Sequence, residues 1–384
     1  MGLMKTPAFC LKLWGIWPLE TFEKYQYQQL YRAYRFFIIG YYIVFNISQT
    51  VECIRLIIHR EPFERISKCI SVTVTLVLMV WKGLIYLRNK IPNMCLEVTA
   101  TERILNACSD GETTILYKKM IKLNNYMNLW IIGSSIFTLM AFIFVSFIDL
   151  ATTGPVFWEH NNVSFMHELY LPINRRKYYI FIIFFNIFTA VESVVLNAVI
   201  QTTFFGLTVY AVLQLKLLSI DLKNLHLKNY NPEKALKGII KNHQDLIRFI
   251  TALKSATKYV LLMSFILNSI KLAAVLIQIM SIRDISTLAF PIFYSFMLTS
   301  EVFFLGWMCN EVKEGSLAIA DAAYNSLWYN ENKNVKVMLK ILMMRAQKPL
   351  TMDNGPFGPM TTNTIVSTLK AAYSYATLMY HQEE

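Results

Sequence analysis

Apolar runs of roughly twenty residues recur along the whole chain, divided by polar and basic stretches. A helix rising about 1.5 Å per residue needs about 20 such residues to cross a bilayer. On that scale the pattern predicts spans at about Phe36 to Ile58, Ile66 to Leu87 and Tyr126 to Phe147. A fourth, Tyr178 to Leu213, is longer than one crossing, so its helix is expected to run on beyond the membrane. The fifth covers about Tyr259 to Met280, and only Ser281-Ile282-Arg283-Asp284 separates it from a sixth ending near Met308.

The closing stretch, Thr361 to Tyr380, has the length of a span but is too polar to face lipid. At 100° per residue, Asn363, Ser367, Lys370, Ser374, Thr377 and His381 fall within about 80° of one another. Ile365, Leu369, Ala372, Ala376 and Met379 occupy the opposite arc. In a soluble protein this is an ordinary surface helix. In a membrane bundle the hydrated stripe must face either a water-filled path or a polar seam between helices.

The segments between spans carry further expectations. AFCLKLWGIWPLE, near the N-terminus, is amphipathic enough to lie on a membrane surface. Glu52 and Arg55 are spaced for an i,i+3 pair near an interface, and Lys82 is placed to snorkel. Residues 88–122 are polar and expected to be helical in part. The loop from Asp149 to Lys177 holds the sequon Asn162-Val163-Ser164, a glycosylation candidate. Between Cys309 and Met360 a mixed helical region ends in the breakers Asp353-Asn354-Gly355-Pro356 and Gly358-Pro359.

Composition supports the membrane reading: 55% of the 384 residues are hydrophobic, 14% aromatic and only 16% charged. A net charge of +12 would suggest nucleic acid in a soluble protein, but basic residues collect in cytoplasmic loops. With the N-terminus inside, 1–35, 88–125, 214–258 and 309–360 are cytoplasmic and hold most of the Lys and Arg. The other side holds Arg60, Arg65, Lys68, Arg175, Arg176, Lys177 and Arg283. Asn162 then falls outside, and so does the C-terminus.

Candidate chemistry is sparse. The six cysteines show no CxxC and the six histidines no cluster, so neither a metal site nor a disulfide scaffold is expected. No phosphate cradle, nucleophile elbow or zinc helix motif occurs, so no enzyme and no cofactor are predicted. A transporter reading lacks an internal repeat and broken spans. Glu192, Glu301 and Lys271 fall inside spans, where a charge is either structurally paired or functional.

TTNTIVSTLKAAYSYATLMY, with Ser374-Tyr375 in its second half, resembles the last span of insect odorant receptors. The short link between spans five and six and the basic region between spans four and five resemble that family too. Chain length resembles a ligand-tuned subunit more than the longer shared co-receptor. The TYxxxxxQF signature of the related gustatory receptors is missing. The resemblance implies an all-α fold of seven transmembrane helices, with the N-terminus cytoplasmic and the C-terminus extracellular. It divides the chain into a cytoplasmic segment 1–35, spans one to six with their loops over 36–308, anchor helices 309–360, a pore-lining span 361–380 and a tail 381–384.

It also implies an odorant-gated cation channel in the plasma membrane of olfactory sensory neurons. The partners would be the olfactory co-receptor, a volatile odorant and membrane lipid, with no nucleic acid. Asn363, Ser367, Lys370, Ser374 and Thr377 would line the pore. Thr73, Leu76 and Val77 on span two, with Phe137, Met140, Ala141 and Phe144 on span three, would face the ligand. Phe184, Phe188 and Val191 on span four, and Phe290, Phe293, Tyr294 and Met297 on span six, complete the set. Each phenylalanine taken singly is more often packing than site; as a set, an aromatic pocket with Thr73 and Tyr294 as polar groups suits a small apolar ligand. The rival reading is a seven-span receptor coupled to a G protein, which the reversed topology and the lack of DRY-like and NPxxY sequences oppose.

Overall fold

The chain is described by a computed structural model over residues 2–22, 24–61, 63–88, 90–107, 111–153, 169–170, 178–225, 231–281 and 285–383. Asn162 lies outside these residues, and so does the side chain of Phe290. The regular structure of the described residues is all helical, with no strand among them beyond an isolated bridge between Asp353 and Pro359. The helices are α1 Lys5–Leu13, α2 Tyr25–Ile58, α3 Phe63–Arg88, α4 Ile91–Ala107, α5 Gly111–Thr153, α6 Tyr179–Lys223, α7 Pro232–Ser281, α8 Ile285–Tyr324, α9 Lys333–Ala346 and α10 Thr362–Glu383. Among the described residues, α2, α6, α7 and α8 contain segments long and apolar enough to cross a membrane. The fold is a helical membrane bundle.

Several helices outrun the bilayer. The third expected span is the later part of the 43-residue α5, which begins in the polar stretch and continues to Thr153. Helix α6 carries the fourth span on to Lys223, and α7 starts at Pro232, far ahead of its apolar half. Helix propagation explains this: once nucleated, each added residue contributes a backbone hydrogen bond, and no Gly or Pro intervenes at these polarity boundaries.

The helices divide into two units, one of residues 1–5, 94–127 and 204–384 and the other of residues 6–93 and 128–203. In the first unit the buried carboxylate of Glu102 accepts the backbone N–H of Leu3 and of Met4, the latter at 3.4 Å, and the Tyr117 hydroxyl at 3.1 Å. Asn124 Nδ2 donates to the Leu3 carbonyl at 2.9 Å. Helices α7, α8 and α9 pack together, and Tyr210 on α6 meets Phe249 on α7 edge to face at 5.2 Å. Lys216 pairs with Glu311 across α6 and α8 at 3.3 Å.

The second unit corrects two expectations. The apolar side of the N-terminal amphipathic segment is taken up largely by protein: Leu11, Trp14, Ile16 and Trp17 are buried, while Phe9 and Leu13 stay exposed. The Trp14 indole packs edge-on to Tyr42, and its far edge comes within 3.1 Å of where a Cβ on Gly83 would stand. A protein surface of matching shape offers the segment denser contact than a headgroup layer. Lys82 is 4% exposed, so its stem is enclosed by the unit instead of running along a lipid-facing surface. The Glu52–Arg55 pair forms as spaced, at 3.0 Å.

Candidate functional site

Helix α10 is prepared by the turn ahead of it. Gly355 and Gly358 take positive φ of 58° and 86°, conformations that glycine adopts without a Cβ penalty. Met360 donates its N–H to the Met352 carbonyl at 2.8 Å, and Asn354 to that of Gly358 at 2.8 Å, closing the reversal. Lys254 on α7 holds it through Asp353 at 2.7 Å. Thr361 and Thr364 then cap the helix reciprocally, each backbone N–H reaching the other's hydroxyl at 3.4 Å.

The two arcs of α10 have the environments their composition predicts. Ile365, Thr368 and Ala372 are buried where the helix packs on α7 and α8. Asn363, Ser367, Lys370 and Ser374 are exposed, and Thr377 is half-buried. The exposed arc is wider than the polar stripe, since Val366 and Tyr373 flank it. The Ser374 and Thr377 hydroxyls bond carbonyls of their own helix, at 2.9 Å to Lys370 and at 3.2 Å and 3.0 Å to Tyr373 and Ser374. Back-bonding of this kind satisfies the hydroxyl protons while leaving lone pairs outward for water or ions.

The ligand-contact candidates are distributed over both units. In the second unit Thr73 and Leu76 are buried, Val77 and Ala141 are half-buried, and Phe137, Met140, Phe144, Phe184, Phe188 and Val191 are exposed. Phe188 packs edge-on to Tyr41 at 5.3 Å, and Phe185 does the same at 5.4 Å. In the first unit Phe293, Tyr294 and Met297 are half-buried along α8.

The intramembrane charges lie among polar side chains of the bundle. Glu301 on α8 accepts from Asn268 Nδ2 on α7 at 3.1 Å and lies within electrostatic reach of Lys271 and Tyr294. Glu192 on α6 lies among the tyrosines of α2, within reach of Tyr34, Tyr41 and Tyr42. The last two of these tyrosines bond the next turns of α6, Tyr41 to Thr189 at 2.5 Å and Tyr42 to Ser193 at 2.8 Å.

Two features were not anticipated. Gly306 on α8 leaves room for Ile365 of α10, whose side chain fills the place a Cβ would take. An isolated glycine in an apolar helical run was the available signal. Asn46 and Gln49 are buried in the second unit, and their i,i+3 spacing was likewise visible.

Comparison with known proteins gives a consistent answer. The family model described as 7tm Odorant receptor matches residues 63–373. Odorant receptor 10 of Aedes albopictus is 33% identical over 181 residues, covering 47% of this chain and 48% of that protein. Odorant receptor Or2 of Anopheles gambiae is 31% identical over 144 residues, 38% of each chain. The odorant receptor coreceptor of Ooceraea biroi is 25% identical over 142 residues, 37% of this chain and 30% of that one. These alignments span less than half of each relative. The fold matches the insect olfactory receptor OR5 from Machilis hrabei in complex with eugenol at a TM-score of 0.81 and 16% identity, covering 99% of this chain and 98% of that one.

Proposed function

The chain belongs to the 7tm odorant receptor family, and on that premise we propose that it is the ligand-tuned subunit of an odorant-gated cation channel. It is a multi-pass membrane receptor and not an enzyme. The observation that carries the channel reading is α10, which packs its apolar arc on α7 and α8 and leaves a polar stripe exposed. Four or fewer such stripes around an axis make a hydrated path, whereas one alone facing lipid would strand Asn363, Ser367 and Lys370 in hydrocarbon. Asn363, Ser367, Lys370, Ser374 and Thr377 are the pore-facing residues in this reading, and 309–360 is the anchor that holds subunits together.

The N-terminus is cytoplasmic, the C-terminus extracellular and Asn162 a glycosylation site. The partner is the olfactory co-receptor, a reading that the similarity to coreceptors supports. The ligand is a small volatile molecule, as eugenol is for OR5. The candidate contacts of the second unit are Phe137, Phe144, Phe184 and Phe188 with Thr73 as a polar group, and those of the first are Phe293 and Met297 with Tyr294 as a polar group. Burying about 200–300 Å² of such a ligand is worth roughly 5–7 kcal/mol before association costs, so micromolar affinity is expected. Opening draws only on the difference in affinity between open and closed states.

Co-expression with the co-receptor and current recording against a panel of volatiles tests this. Ligand-evoked cation currents that persist when G-protein signalling is blocked are expected, with an extracellular C-terminal epitope. Responses that vanish with the block, or a cytoplasmic epitope, would favour the G-protein-coupled alternative.

A further inference from the structure

Within the second unit, helices α2, α3 and α6 enclose a polar niche around Gln49. Gln49 is 1% exposed, and neither its Oε1 nor its Nε2 has a hydrogen-bond partner. Asn46, one turn earlier on the same face, spends its Nδ2 on the Tyr42 carbonyl at 2.8 Å, while its Oδ1 is buried without a partner. Helical register locates the surroundings. Cys53 and Cys69 pack in one cluster of the α2–α3 hairpin, so one turn inward on each helix come Gln49 and Thr73. Helix α6 runs antiparallel to α2, with Tyr42 bonded to Ser193 and Phe45 packed on Phe185 at 5.6 Å, which brings Ile182 to the level of Gln49. The segment Leu169–Tyr170 crosses beside them: Tyr170 N–H donates to the Ser48 carbonyl at 3.2 Å, and Ser48 Oγ donates to the Tyr170 carbonyl at 2.6 Å.

Other described polar side chains of this neighbourhood are engaged locally. Thr73 Oγ1 donates to the Cys69 carbonyl at 2.8 Å, and Asn186 Nδ2 to that of Ile182 at 2.9 Å. Glu52, one turn outward, is held by Arg55. What remains is a primary amide with a donor and an acceptor, and a second acceptor on Asn46. Burying an amide without partners costs roughly 2–7 kcal/mol, so a membrane bundle keeps one where something binds it. Among the described residues the nearby charges, Glu52 and Arg55, pair with each other, so the complement is a neutral group.

We propose that Gln49, seconded by Asn46 Oδ1, is a binding site for the hydroxyl or carbonyl of a small oxygenated ligand. The site lies on the first span, at the level of Thr73, and it tunes the receptor toward volatiles that carry one hydrogen-bonding oxygen. The proposal rests on the channel reading for its physiological readout. Gln49 acts as a specificity-determining residue because a site built to bond an oxygen penalises the analogue lacking it.

The test compares a primary alcohol with the chloroalkane of equal chain length on the heteromeric channel, at matched surface expression. Gln49→Met keeps the volume and removes both hydrogen-bonding atoms. It should raise the half-maximal concentration for the alcohol about tenfold while moving that of the chloroalkane less than about twofold. Gln49→Asn, which withdraws the amide by one methylene, should shift the pair in the same selective direction and covers the case in which Gln49→Met does not reach the surface. Equal shifts for both ligands, or none, overturn the proposal. If no volatile opens the wild-type channel, the channel reading fails, and equilibrium dialysis of the same two ligands against purified protein then decides the niche by the same selectivity.

Discussion

Gly306 of α8 and Ile365 of α10 are packed so closely that the isoleucine side chain fills the position of the missing Cβ. Ile365 is 2% exposed, and the Thr361 carbonyl stands 3.4 Å from that same point, so the side chain has little room to retreat. Tyr294, Glu301 and Gly306 lie in that order along one helix, so α8 runs from a ligand-contact candidate, past the bond to Asn268, to the helix proposed to line the pore. Displacement of α8 on ligand binding would be felt at Ile365 first.

Gly306→Ala should therefore impair gating. Alanine gains about 1 kcal/mol in helix propensity, but overpacking an enclosed contact costs typically 1–3 kcal/mol, and the second term wins. The expected outcome is a smaller maximal odorant current or a changed open probability at matched surface expression. Ile365→Val in the Gly306→Ala background should restore part of it, a coupling that a double-mutant cycle measures. Additive effects would mean that the contact does not transmit gating.

Lys370 shares the exposed arc with Asn363, Ser367 and Ser374. A cation near a pore axis repels a permeant ion by about 2 kcal/mol per unit charge at 8 Å for an effective dielectric near 20. Lys370→Gln should raise single-channel conductance and relative calcium permeability in the heteromer and leave odorant potency nearly unchanged. Identical conductance and selectivity in mutant and wild type would place Lys370 off the conduction path. The same charge predicts little or no current from this chain expressed alone.

For the aromatic set, Tyr294→Ala and Phe188→Ala should shift the odorant concentration–response curve without loss of surface expression. Tyr294→Phe should affect only ligands that can bond the phenol, by a few-fold to about tenfold, since one buried hydrogen bond is worth about 0.5–1.5 kcal/mol. Curves unchanged for every active ligand would locate the pocket elsewhere.

His243 lies on α7 ahead of its apolar half and is buried. Burial first, and the Arg345 guanidinium second, hold its imidazole below the ordinary value. Above the unfolded-chain value of about 6.5, both states are neutral and stability does not depend on this group. As pH falls below that, the unfolded chain takes up a proton that the folded one refuses, and stability declines by at most about 1.4 kcal/mol per pH unit. Thermal unfolding of the purified protein should show a drop between pH 7 and pH 5 that is reduced in His243→Gln. An equal drop in both would assign the pH dependence to other groups.

Much of this protein is written in its linear pattern. Hydrophobic run length defines the membrane helices, because each must hydrogen-bond its own backbone in a medium that offers no partner. The stripe of α10 is equally local, since 100° per residue gathers Asn363, Ser367, Lys370 and Ser374 on one face whatever lies around it. Breakers and paired threonines likewise announce where α10 begins.

Contacts between distant segments were settled by tertiary structure alone. The periodicity of AFCLKLWGIWPLE cannot say whether its apolar face meets lipid or protein, and only the folded unit places Trp14 between Tyr42 and Gly83. Lys82 carries the signature of a snorkelling residue, yet the packing of its unit encloses it. That Gly306 receives Ile365, or that Gln49 faces inward with both amide atoms unpaired, depends on which helices become neighbours and in what register. A side chain's direction is fixed by its own helix, but what it meets there is supplied by residues tens or hundreds of positions away.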